Sequence, residues 1–234
     1  MRRGRRRWAT LGITAAATLA AGCGNAQESA NSAALVPESA LGDLLLSARD
    51  VQSMMNGAPL IPQPVDSGMD DNRNLLPNLN CLGVWHPGES AIYGGSDAGT
   101  WQAVRRQLLR APGNDQWRSS VVQSVATYTS PDTARDFIAQ SADRWAKCTN
   151  HTVNITLNDQ RLPRWRSGDL DISPDHLRMP ISRSAGAATS SCEHVISARA
   201  NVVIDVLACA PGTLEVRQAS QMADLIASHV PSAG

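Results

Sequence analysis

Between Cys192 and Cys209 the apolar positions cluster in two β-branched runs, Val195-Ile196 and Val202 to Leu207, on either side of Ala200-Asn201. Such residues suit the pleated, half-buried surface of a strand, so the pattern predicts a hairpin. A two-residue turn at Ala200 and Asn201 sets Arg199 opposite Val202 and therefore Cys192 opposite Cys209. A register slip of one residue still leaves the two cysteines near neighbours. Elsewhere the period is helical. In "SPDTARDFIAQSADRWAKC" the residues Ala134, Phe137, Ile138, Ser141, Trp145 and Cys148 fall on one stripe, opposite Asp132, Asp136, Asp143 and Lys147. Ser130 suits the N-cap, Pro131 the first helical position and Asp132 the positive end of the dipole.

The same periodicity predicts a helix through Leu41, Leu44, Leu45, Ala48, Val51, Met54 and Met55 that stops at Gly57, or two shorter helices if Ser47 caps the second. A final helix near Glu215 to His229 carries Val216, Ala219, Met222, Ala223 and Ile226 on its apolar face, with Val230 beyond it. A loop with four prolines (Pro59, Pro62, Pro64 and Pro77) runs up to Cys81. Strand-like runs occupy 103–109, 120–128, 152–158, 164–171 and 176–183. Strands in the middle, helices at the flanks and no βαβ alternation predict an α+β fold, one antiparallel sheet covered by helices.

The start of the chain changes where this domain is expected to work. Arg2, Arg3, Arg5, Arg6 and Arg7 precede an apolar stretch from Trp8 to Gly22, too short and too rich in Ala and Thr for a lasting membrane span. Its end, "LAAGC", resembles the lipobox of bacterial lipoproteins, with Ala20 standing where leucine is usual. That resemblance implies cleavage after residue 22, lipid on the Cys23 sulfur, and a chain held on the outer side of the cell membrane. The other reading is an ordinary secretory signal beside a chance cysteine, and Arg6-Arg7-Trp8 is compatible with twin-arginine export. Residues 23–37 are small and polar and read as a flexible tether, leaving 38–231 as the folded domain.

The intact chain holds 21 basic and 21 acidic residues; cleavage takes five arginines and no acid, leaving the mature protein mildly acidic. It has no run of Lys or Arg for nucleic acid. With Cys23 lipidated, Cys81, Cys148, Cys192 and Cys209 form an even set in an oxidising compartment, which predicts disulfides. The hairpin register pairs Cys192 with Cys209 and leaves Cys81 for Cys148. Neither C-x₂₋₄-C nor closely spaced histidines occur, so no metal and no other cofactor is expected.

Catalytic constellations have simpler readings. "YGGSDAG" lacks the last glycine of a nucleophile elbow, because Ala98 stands there. Asp169 and Asp171 would share one face of a strand but suit a solvated face equally well, and Ser96, His86 and Asp97 show no sign of converging. The expectation is a non-enzyme. Trp145 belongs to the core by its helix face and Trp117 opens a strand. Trp85, Trp101 and Trp165 adjoin Pro, Gly or Arg at loops or strand ends and are the candidate cleft aromatics, with Arg164 and Arg166 as a polar or anionic handle.

The succession "LLLSARDV", "NCLGVW", "YGGS", "FIAQSADRWAKC" and "SCEHVISARANVVIDVLAC", closed by an amphipathic helix, resembles the PknH-like extracellular sensor domains, found at the C-terminal end of a mycobacterial serine/threonine kinase and in exported actinobacterial lipoproteins. The resemblance covers about residues 38 to 231. It implies two intramolecular disulfides, a twisted antiparallel sheet with packed helices, and a cleft for an unknown ligand. The kinase signatures G-x-G-x-x-G and HRD are missing from the sequence, so the chain is expected to sense rather than phosphorylate. Two functions follow: binding of a small envelope or environmental molecule, or docking of another envelope protein such as a kinase ectodomain.

Overall fold

The β-branched runs pair into a nine-stranded antiparallel sheet. The protein is seen in a computed structural model that describes residues 35–94, 101–157, 159–174 and 176–231. The signal segment and Cys23 lie outside the described residues, as do Ser96 and Asp97. A 3-10 turn (Glu38–Ala40) and α1 (Leu41–Leu44) precede α2 (Ala48–Met54). The break falls at Ser47, whose hydroxyl accepts from the Asp50 N–H and caps α2. Next come β1 (Ile61–Pro62), α3 (Leu79–Trp85), α4 (Ser90–Tyr93), β2 (Ala103–Ala111) and β3 (Ser119–Thr127). Then α5 (Pro131–Ala146) starts on a capping box between Ser130 and Thr133. Short strands β4 (Thr152–Val153), β5 (Thr156–Leu157), β6 (Gln160–Arg161), β7 (Arg164–Ser167) and β8 (Asp171–Ile172) lead to the long β9 (His176–Ala185), β10 (Ala188–Arg199) and β11 (Val202–Pro211), and α6 (Gln218–His229) closes the fold.

The strands lie in the order β1-β2-β3-β11-β10-β9-β7-β4, with β8 paired to β9; β5 and β6 form a separate two-stranded ribbon. Arg199 faces Val202 and Cys192 faces Cys209, in the register that the hairpin pattern predicts. Alternation divides the sheet into two faces. One face packs Cys192, Ile196, Val203, Leu207 and Met179 against Leu82, Trp85, Phe137, Ile138 and Trp145 of α3 and α5. The other packs Val121, Val125, Val195, Ile204 and Val206 against Leu41, Leu44 and Val51 of α1 and α2 and Ala219, Met222 and Ile226 of α6. Helices therefore cover both sides, which explains why β3 and β11 are buried almost end to end.

Two disulfides, Cys81–Cys148 and Cys192–Cys209, reinforce the first face. Cys81 sits on α3 rather than in the proline-rich loop, because Asn78 caps a helix there by accepting from the Asn80 N–H. The bond thus ties two helices together. Three further expectations shift. The run 152–158 divides between β4 and the ribbon, and 164–171 ends at Ser167, where Gly168 passes so close that an added Cβ would lie 2.9 Å from Pro180. The last helix begins at Gln218 instead of Glu215, since Glu215 is drawn into ion pairs with Arg178 and Arg217.

Candidate functional site

Trp165 lies on β7 and its register partner on β9 is Arg183, so both project from the same face of the sheet. Arg183 Cζ is 4.1 Å from the centre of the Trp117 ring and 5.8 Å from that of Trp165, and the two indole centres are 6.4 Å apart. The guanidinium is thus wedged in the corner of two indoles, which attract it through their ring faces. Arg183 is 8% exposed, and burial lowers its pKa from the usual guanidinium value. Its guanidinium makes no hydrogen bond or ion pair with any described residue.

Arg164 and Arg166 alternate with Trp165 and point to the other face, both exposed. Arg164 lines an open groove of about 790 Å³ with Asn154, Ile155, Arg161, Leu162, Pro163 and the β9–β10 turn at Ser184–Gly186. Its lining mixes the apolar Ile155, Leu162 and Pro163 with the polar Asn154, Thr156 and Ser184 and two arginines, and none of its described lining residues is acidic. Arg166 lines a second hollow, of about 380 Å³, with Gly168, Ser182, Thr213 and Glu215. The other two candidate cleft tryptophans stand elsewhere. Trp85 ends α3 at 3% exposure, with its ring 6.2 Å from His151 and its N–H sealed without an acceptor, and Trp101 packs half-buried against the same core. The structure brings Trp165 together with Trp117 and Arg183, a partnership that sequence adjacency could not show because it depends on β7–β9 register.

A second cluster of titratable groups lies beneath α3 and α5. His194 on β10 and Asp205 on β11 are diagonal neighbours, their direct register partners being Leu207 and Ile196, and their side chains meet with Nε2 2.6 Å from Oδ1. Asp205 Oδ2 accepts from the Tyr93 hydroxyl at 2.7 Å and the Gly88 N–H at 3.0 Å. The His194 ring lies 4.7 Å from Trp145. Desolvation, with Asp205 adding to it, raises the Tyr93 pKa well above normal, while desolvation lowers half-buried His86 to about 4. Glu89, fully buried, accepts from the N–H and the side-chain amide of Asn72, and burial raises its pKa. Histidine, carboxylate and Ser141 thus line one spot, but the cavity among them is about 10 Å³. That is no larger than a single water needs, so the cluster is a polar clamp inside the core and admits no substrate.

Asp169 and Asp171 do not form a carboxylate pair on one strand: Asp169 lies in a loop and accepts from the Asn150 side chain, and Asp171 begins β8. Among the described residues no three His, Cys, Asp or Glu side chains group as metal ligands, and no helix is long and apolar enough to cross a membrane.

A sequence profile of the PknH-like extracellular domain matches residues 36–229. The serine/threonine-protein kinase PknH of Mycobacterium tuberculosis is 30% identical over 195 residues, covering 83% of this chain and 30% of the kinase. PknH of Mycobacterium bovis is also 30% identical over 195 residues, covering 83% of this chain and 31% of the kinase. The chain therefore spans about a third of the length of the curated relatives it matches. The crystal structure of the extracellular domain of PknH from Mycobacterium tuberculosis is similar with a TM-score of 0.71 at 27% identity, over 83% of this chain and 96% of that one.

Proposed function

Because this chain belongs to the family of PknH-like extracellular domains, we propose that it is a lipid-anchored receptor domain on the outer side of the cell membrane, which binds a small envelope or environmental molecule without transforming it. The observation that carries this reading is the open groove lined by Arg161 and Arg164 together with Ile155, Leu162 and Pro163. At about 790 Å³ it falls within the size range of small-molecule sites. Three apolar side chains beside two arginines and neutral polar groups suit an amphipathic ligand with a polar or anionic end. The serine in its wall, Ser184, has no histidine or carboxylate beside it among the described lining residues, which favours binding over chemistry.

Titration of intrinsic fluorescence with envelope lipid and glycan fractions tests this. The wild type is expected to give a saturable change that weakens about tenfold in Leu162→Asp and Arg164→Ala, a loss of about 1.4 kcal/mol of binding free energy. No response to any fraction, or equal responses in all three folded proteins, would reject the groove and favour docking of another envelope protein.

A further inference from the structure

The ionic surroundings of buried Arg183 set it apart from the half-buried arginines of the sheet. Arg106, Arg110 and Arg178 each lie within ion-pair distance of a carboxylate, on Asp70, Asp115 and Glu193 respectively. Arg183 has none. The same-face positions around it are Ile181 and Ala185 on its own strand, Trp165 and Ser167 on β7, and Ser190 and Cys192 on β10. None is acidic. A buried charge without a counter-charge is costly, and two indole faces offset only part of that cost.

The stacking also leaves the guanidinium usable. Its faces meet the indoles, while its nitrogens keep some contact with solvent, unlike the sealed Nε atoms of Arg106 and Arg110. A guanidinium presents its N–H donors in a planar fork that matches two oxygens of a carboxylate or phosphate. Arg161, Arg164 and Arg166 are exposed and make no ion pair with described residues, and their field draws anions toward this end of the sheet.

We propose that Arg183, in the corner of Trp117 and Trp165, is the receptor for an oxyanion, a carboxylate or phosphate group, at a second site on the face of the sheet to which Arg164 does not point. This site goes beyond the groove reading above and is tested separately from it. The flanking indoles make it measurable. Inorganic phosphate and acetate, against chloride at equal ionic strength, represent a free oxyanion. Vesicles of phosphatidylcholine, alone or mixed equally with phosphatidylinositol, represent a lipid headgroup. The wild type is expected to show a saturable change in tryptophan emission with phosphate or with the anionic vesicles, and whichever source responds identifies the carrier. Arg183→Gln and Arg183→Lys are both expected to bind at least about tenfold more weakly, because lysine keeps the charge and loses the fork. An undiminished response in folded Arg183→Gln overturns the assignment; if Leu162→Asp abolishes that same response, the groove reading survives without it. Should Arg183→Gln fail to fold, the Arg183 Nε–H resonance of the wild type decides: a shift saturating with phosphate supports the site, and an unmoved resonance overturns it.

Discussion

His194 joins the sheet to the helical layer above it, its Nε2 2.6 Å from Asp205 Oδ1 and its Nδ1 2.6 Å from the Val84 carbonyl oxygen at the end of α3. Both ring nitrogens face oxygens, and Asp205 in turn receives the Tyr93 hydroxyl and the Gly88 N–H. One pair of side chains therefore fixes α3, the loop after it and α4 over β10 and β11. Removing one member leaves the other buried with unmatched polarity. Asp205→Ala is expected to cost about 3 to 5 kcal/mol by denaturant unfolding, and Tyr93→Phe, which deletes one of several bonds, about 1 kcal/mol. Equal costs for the two would contradict a clamp centred on the His194–Asp205 pair.

Acid should weaken the fold through His86. Burial, opposed by Asp70 and aided by Arg106 and His194, lowers its pKa from 6.5 to about 4. Between these values the unfolded chain takes up a proton that the folded chain refuses. The His86 contribution is therefore fully present above pH 6.5, falls as pH drops, and levels off below about pH 4. The loss amounts to about 3 kcal/mol at most. Unfolding free energies measured across this window should fall less steeply in His86→Gln; parallel curves would remove His86 as the cause.

The two disulfides should differ in weight. Cys81–Cys148 closes a separation of 67 residues and Cys192–Cys209 one of 17. Restriction of the unfolded chain is then worth about 4 and about 3 kcal/mol respectively. The second is also the more replaceable, because the β10–β11 ladder holds its ends opposed without it. Paired serine variants compared by thermal unfolding would test the ranking, and a peptide map of unreduced protein that joined Cys148 to Cys192 would contradict both bonds.

Cys23 is expected to carry the lipid that holds the domain on the membrane. Wild type should partition with membranes and carry acyl mass on its N-terminal cysteine, whereas Cys23→Ser should be released. Equal release of the two proteins would reject the anchor.

The elements carried by local periodicity were legible in the sequence: the amphipathic stripe of α5, the Ser130 cap, the Ser47 break as one of two readings, and the hairpin register that sets Cys192 opposite Cys209. Each depends on residues close in the chain, where side-chain period and turn length dictate geometry. The short helix carrying Cys81 was hidden among prolines, because its stability comes from packing Leu82, Val84 and Trp85 rather than from any pattern of its own.

The candidate site divides along the same line. Trp165, Arg164 and Arg166 could be picked out as an aromatic beside charges, but the expected shared cleft does not form, because strand alternation turns both arginines to the face away from the indole. Only the tertiary structure decided that Trp165 meets Arg183 and Trp117 instead, that Trp85 is sealed in the core, and that His194 and Asp205 close on each other under α3. These partners are brought together by strand order and sheet register across long stretches of chain. Local sequence carries little trace of such contacts, because they are chosen by the burial of both sheet faces at once.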